Sequence, residues 1–271
     1  MSTKIEWTNE TWNPTSGCTY ISEACDNCYA EKFSRRLQSI LASANPEKSY
    51  KYKYGFKPTC YPGELTTPDK WKTPKKIFVT SMGDLFHPDI PFDFIDAVFS
   101  VMADINRHTY IVLTKRPQRM VMFMNWKREQ FGVRWIPSQN IWFGTTIEMQ
   151  KYAKDRIFYL LQMPSPVHLI SYEPALGPLN ITPYLPYDEL DARLKINWVI
   201  CGGESGTGSR PMNPDWVRSI RDQCNNAGVP FFFKSWGDYF PGYDNKEMIK
   251  VGKKYSGRLL DSCEYNEFPI I

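Results

Sequence analysis

Tyr110-Ile111-Val112-Leu113-Thr114-Lys115-Arg116 opens as an unbroken β-favouring run and closes on two cations. A strand with one wet face alternates apolar and polar residues. A continuous apolar run therefore signals a strand covered on both faces, as in a parallel sheet. The same pattern recurs at Ile77–Thr80, Ile141–Thr145, His168–Tyr172, Trp198–Cys201 and Pro230–Lys234. The starts are spaced at about 30 residues, the length of a strand plus its crossover helix. Between them, Ile95, Val98, Phe99 and Met102 form one helical stripe. Asn213-Pro214 reads as a cap followed by Pro at the first helical position, opening a helix that buries Val217, Ile220 and Cys224 and stops at Gly228.

These runs, with one or two further strands before the cysteines and near Thr59, predict an α/β fold: a complete or partial (β/α) TIM-like barrel of parallel strands. A doubly wound open sheet is the alternative, because periodicity does not separate the two. The barrel is expected over residues 1–236, with insertions at about 44–74 and 178–196 and a loop-rich extension at 237–271 packed on it.

A chain of 271 residues, 42% hydrophobic and 15% aromatic, can bury one large core. Met1 to Tyr20 hold charged and polar residues throughout and no apolar run reaches spanning length, so a cytoplasmic protein without membrane contact is expected. A net charge of +4 is too small to demand a nucleic-acid partner. The basic clusters at Lys70–Lys76, Lys115–Arg119 and Lys127–Arg134 read first as solvated ends. Seven cysteines, an odd number, in a reducing compartment read as ligands or buried thiols.

Three of them are close together, in Gly17-Cys18-Thr19-Tyr20-Ile21-Ser22-Glu23-Ala24-Cys25-Asp26-Asn27-Cys28-Tyr29-Ala30. Three thiolates bent toward one point suit an iron–sulfur cluster with one iron left open for chemistry. Zinc remains an alternative, with Cys60 or His87 as fourth ligand, and a Cys-x-x-Cys redox pair is another. The loop leads into a helix whose Phe33, Leu37, Ile40 and Leu41 share one face.

Functional groups of parallel α/β folds collect at the carboxyl ends of strands. Those ends hold Ser81, Asp84 and His87; Lys115 and Arg116; Thr145, Thr146 and Glu148; Glu173; Glu204 and Ser205; Lys234 and Trp236. Lys115, Glu173 and Lys234 follow apolar strands directly and are expected to point inward. Arg116 and Glu148 divide evenly between function and surface ion pairing. Gly202-Gly203-Glu204-Ser205-Gly206 could present backbone N–H groups to an anion, yet it lacks the nucleotide-binding glycine patterns.

The chain resembles the phage-associated family of uncharacterised three-cysteine-motif proteins. The shared segments are Glu6-Trp7-Thr8 with Thr11-Trp12-Asn13-Pro14, Ser81-Met82 with Asp84-Leu85-Phe86-His87, Leu113-Thr114-Lys115-Arg116-Pro117, Glu173-Pro174, Gly202–Gly206 and Pro230–Lys234. More distantly, the motif order is similar to spore photoproduct lyase-like radical S-adenosylmethionine enzymes. This chain has six residues between its first two cysteines where most such enzymes have three, and Asn27 where they carry an aromatic.

That resemblance implies a [4Fe-4S] cluster on Cys18, Cys25 and Cys28 and S-adenosyl-L-methionine as cofactor. Its cleavage would give a 5′-deoxyadenosyl radical that takes a hydrogen atom from substrate. Cofactor contacts would fall to Tyr29, Ser81, Asp84, Lys115 and Thr145, with Lys115 neutralising the methionyl carboxylate. Glu173, Glu204 and Lys234 would serve the substrate, Cys201 would return a hydrogen atom, and Trp12, Tyr172 and Trp236 would line the site. Expected partners are a small-molecule or nucleotide substrate and an electron donor such as flavodoxin or ferredoxin, with nucleic acid also admitted. The competing expectation is a zinc-containing, non-catalytic nucleic-acid module using the basic clusters with Trp126 and Trp135.

Overall fold

A sheet of seven strands organises the computed structural model, which describes residues 3, 5–44, 51–132, 136–186, 195–242 and 247–270. The chain divides into two compact units, Met1–Trp142 and Phe143–Ile271.

In the first unit, β1 (Glu10–Trp12) is the expected additional strand and pairs with β4 (Lys76–Val79), which pairs in turn with β5 (Thr109–Thr114). Ile77, Val79, Ile111 and Val112 have no exposed surface, as a sheet covered on both faces requires. Among the described residues of the 44–74 region, one short strand, β3 (Thr59–Cys60), runs antiparallel to β2 (Thr15–Ser16) and is followed by 3-10 turns at Pro62–Thr66 and Pro68–Lys70.

Helix α1 (Tyr29–Ala44) forms as expected, but its apolar face is not core: Phe33 and Ile40 are each 48% exposed. Its buried side holds Ala30 and Ser34, the latter donating to the Gly55 carbonyl at 2.7 Å. The helix leans on segment 53–55 through backbone carbonyls, and the 3.6-residue period does not reveal what a stripe will meet. Helix α2 (Phe92–Asp104) does bury the expected stripe of Ile95, Val98, Phe99 and Met102. Each such side chain contributes about 1.5–3 kcal/mol relative to exposure. Helix α3 (Pro117–Phe131) adds Phe123, whose ring lies 5.0 Å from that of Phe99.

In the second unit, β7 (His168–Tyr172) and β8 (Trp198–Gly202) are buried at every position. Strand β6 (Ile141–Thr146), whose first two residues belong to the first unit, precedes α4 (Gln150–Leu160), and α5 (Pro214–Asn226) precedes β9 (Phe231–Ser235). The Asn213 side chain caps α5 by accepting from the Asp215 amide at 2.8 Å. The sheet order is β1-β4-β5-β6-β7-β8-β9, and the registered pairs β1·β4, β4·β5, β6·β7, β7·β8 and β8·β9 are all parallel.

In the tail, β10 (Tyr239–Pro241) and β11 (Met248–Lys250) form a hairpin, α6 (Lys253–Ser256) follows, and Asn266 bridges Phe232 antiparallel. Backbone groups of Tyr265 and Glu267 thus cover β9 and blunt that edge.

Candidate cysteine-lined site

The cysteine loop is tied to the end of β4 before its first thiol. Gly17 donates its amide to the Met82 carbonyl at 2.9 Å and bridges Gly83, while the Cys18 amide reaches Phe56 O at 3.2 Å. The contacts leave no room for a side chain: a Cβ on Gly17 would lie 2.4 Å from the Lys57 backbone, and one on Gly83 2.6 Å from Gly17 O. A 3-10 turn at Glu23–Cys25 then bends the chain, and the Cys28 carbonyl accepts from the Lys32 amide as α1 begins.

Cys18, Cys25 and Cys28 line one cavity of about 550 Å³ together with Thr19, Tyr20, Glu31, Arg35, Gln38 and residues 55–57. The cations closing β5 approach two of the three sulfurs: Lys115 Nζ is 3.9 Å from Cys25 Sγ and Arg116 Nη1 is 3.2 Å from Cys18 Sγ. Burial, then the Asp84 carboxylate, push the Cys18 thiol up to about 11 against the lowering effect of Arg116. Burial also raises the Cys28 thiol, opposed by hydrogen bonds from the Glu31 and Ala30 amides and by Lys115. Thiols so raised are protonated at neutral pH unless a metal displaces the proton.

Among the described residues no group of three or more His, Cys, Asp or Glu side chains gathers to hold a metal ion. That geometry concerns one ion and ligands sharing it. A cubane carries its cysteines on different irons, and three thiols round one cavity beside two cations form a donor set that fits it. His87, a proposed zinc ligand, has both nitrogens engaged: Nδ1 accepts from the Asp89 amide at 3.1 Å, leaving Nε2–H to donate to Thr19 Oγ1 at 2.9 Å. Burial, reinforced by Arg116, lowers its basicity.

The other predicted residues of this unit are near but differently used. Tyr29 donates to the Ser81 carbonyl at 2.5 Å, and Ser81 Oγ donates to Asn13 Oδ1 at 3.2 Å. Asp84 is buried and saturated: Oδ1 accepts from Phe86 N at 2.9 Å and Thr114 Oγ1 at 2.8 Å, and Oδ2 from Arg116 at 2.9 Å. Of the aromatics expected as lining, Trp12 is instead core, its indole donating to Glu64 O at 2.8 Å. Lys127, from the third basic cluster, is buried against Asp96; Trp126 packs against Phe123, and Trp135 lies outside the described residues.

Within the second unit, Glu173 Oε1 and Lys234 Nζ pair at 2.7 Å. A Cβ on Gly202 would sit 2.8 Å from that same oxygen, so glycine there leaves space for the carboxylate. Glu204 is buried and held by Arg210 through its amide at 2.8 Å, Nε at 3.0 Å and Nη2 at 2.8 Å. The glycine-rich turn serves close packing: a Cβ on Gly203 would meet Trp236 O at 2.1 Å, and the Gly206 amide donates to Asp238 Oδ2 at 2.9 Å. Thr145 and Cys201 are fully buried, and burial followed by Glu173 raises the Cys201 thiol well above its usual value. Tyr172 and Trp236 are core too, their polar atoms spent on the Gly177 and Leu259 carbonyls. Glu148 pairs with Arg156 at 2.7 Å in full burial. Sequence reasoning missed Thr19, Arg210 and Asp238 as organisers and left Arg116 undecided; only Arg116 carried a signal, its place beside Lys115 at a strand end.

Fold and site define an α/β protein with parallel strands whose cysteine loop opens onto a cavity flanked by strand-end cations. The chain belongs to the family described as "Protein of unknown function (DUF5131)", whose model matches residues 2–269. No curated protein and no solved structure matches it.

Proposed function

We propose that the chain is a radical S-adenosylmethionine-type iron–sulfur enzyme, with a [4Fe-4S] cluster on Cys18, Cys25 and Cys28. The observation that carries this reading is that three thiols line one cavity while the two cations following β5 reach two of their sulfurs. Three protein sulfurs leave one iron free for the methionyl group of S-adenosylmethionine. Cluster and cofactor, when bound, supply one-electron cleavage of the sulfonium and hydrogen-atom abstraction from a substrate C–H bond.

The chain's own residues then have separate tasks. Lys115 neutralises the cofactor carboxylate. The Ser81 hydroxyl can turn from Asn13 toward the same group, and Tyr29 offers an aromatic face beside Cys28. Asp84, with both oxygens filled by the protein, positions its neighbours. In the second unit, the Glu173–Lys234 pair can bind a polar substrate group or move a proton between carboxylate and amine. The substrate class is a small molecule or nucleotide, free or within nucleic acid, and the reaction calls for a flavodoxin- or ferredoxin-type electron donor. The fold this requires is a complete or partial β/α barrel. The open strand order, with β1 and β9 at its ends, supports the partial form.

Anaerobic reconstitution with iron and sulfide tests the reading. A reducible cluster whose spectrum changes on adding S-adenosylmethionine is expected; zinc without iron or sulfide would refute it. Replacing all three cysteines by Ala is expected to abolish iron uptake while leaving the urea-unfolding slope unchanged, because the three side chains lie outside the fully buried core.

A further inference from the structure

We infer that Arg116, held by Asp84, is a positioning residue for the cysteine site: it fixes the Cys18 end of the loop and sets how readily a cluster there accepts an electron. The inference rests on the iron–sulfur reading above.

Arg116 makes four side-chain contacts through its two terminal nitrogens. Nη1 reaches Cys18 Sγ at 3.2 Å and Asp84 Oδ2 at 2.9 Å; Nη2 reaches the Thr19 carbonyl at 3.0 Å and Thr19 Oγ1 at 3.1 Å. Its amide donates to Thr114 Oγ1, which donates to Asp84 Oδ1, closing a ring of hydrogen bonds. The Arg116 and Asp84 side chains are only 10% and 7% exposed. A guanidinium keeps its charge at any physiological pH, and its fork matches several acceptors at once. Lys115 approaches Cys25 with a single point charge at 3.9 Å, whereas the acceptors of the protein already fill Arg116. Arg116 is therefore built to hold the loop and leaves ligand capture to its neighbour.

Reduction of a cluster adds one negative charge, with the electron taken from dithionite in the assay and no bond made or broken. A fixed cation donating to a ligating sulfur favours the more negative state, and a buried carboxylate beside it opposes that state. Removing the cation and removing the carboxylate must then move the potential in opposite directions. A merely structural role would disturb both variants in the same sense.

The experiment is a redox titration, followed by electron paramagnetic resonance, of reconstituted wild type, Arg116→Met, Asp84→Asn and Arg116→Lys. Arg116→Met is expected to lower the reduction equilibrium about tenfold, a 59 mV shift for a one-electron couple. Asp84→Asn is expected to shift it upward, and Arg116→Lys to fall between wild type and Arg116→Met. Hydrogen exchange on the cluster-free proteins should show residues 17–28 losing protection in Arg116→Met and recovering part of it in Arg116→Lys. Shifts of the same sign in Arg116→Met and Asp84→Asn, or unchanged exchange in the loop, would overturn the inference. Failure of the wild type to take up iron and sulfide would overturn the iron–sulfur reading and with it the electron-setting role. The exchange measurement would still decide the clamp.

Discussion

Replacing Gly17 by Ala attacks the joint on which the cysteine loop turns. Gly17 has φ +86°, in the left-handed region, and its missing Cβ would lie 2.4 Å from both the carbonyl carbon and oxygen of Lys57 and 2.6 Å from Phe56 O. The left-handed conformation alone costs an L-residue about 1–2 kcal/mol. The obstructing atoms are backbone and cannot rotate away, so segment 56–57 must shift, which adds about 1–3 kcal/mol as in other overpacked sites. A total loss of about 2–5 kcal/mol is a large share of a typical domain's stability of about 5–15 kcal/mol. Urea unfolding of the metal-free protein measures it as a lower midpoint at unchanged slope. Gly63→Ala is the internal control: a Cβ there would meet nothing within 4 Å and its φ is not left-handed, so a change of about −0.5 to +1 kcal/mol in stability is expected. A Gly17→Ala midpoint indistinguishable from wild type would refute the claim that close backbone approach fixes the loop.

Further outcomes follow from the same geometry. His108 is buried, accepting the Lys75 amide at Nδ1 (3.2 Å) with Nε2 on Pro68 O (3.1 Å), and burial lowers its pKa from 6.5. The unfolded chain therefore binds the proton first, so the stability it contributes is present above pH 6.5 and lost as pH falls from there through the folded-state value. Urea midpoints taken through this window should fall in the wild type and flatten in His108→Gln. Lys234→Met strands the Glu173 carboxylate, which is only 13% exposed, so it should destabilise more than the Glu173→Gln/Lys234→Met double variant. A coupling of about 0.5–3 kcal/mol in the double-mutant cycle is expected, and additivity would show the pair to be incidental.

The sequence by itself determined the elements. Six apolar runs became β4 to β9, because a strand covered on both faces leaves its mark in consecutive residues. The stripe of α2 and the Asn213-Pro214 start of α5 were equally legible, since helix period and capping are local. The spacing of the cysteines named the candidate site for the same reason. Tertiary structure decided the partners. Arg116 meets a sulfur 98 positions away, and Glu148, expected at a strand end, is spent on Arg156 in full burial. Glu204 is spent on Arg210, and Trp12, Tyr172 and Trp236 turn into the core although their places in the chain suggested a lining. The exposed stripe of α1 makes the point most plainly: periodicity states that a helix has an apolar face, and only the packing of distant segments states whether anything covers it.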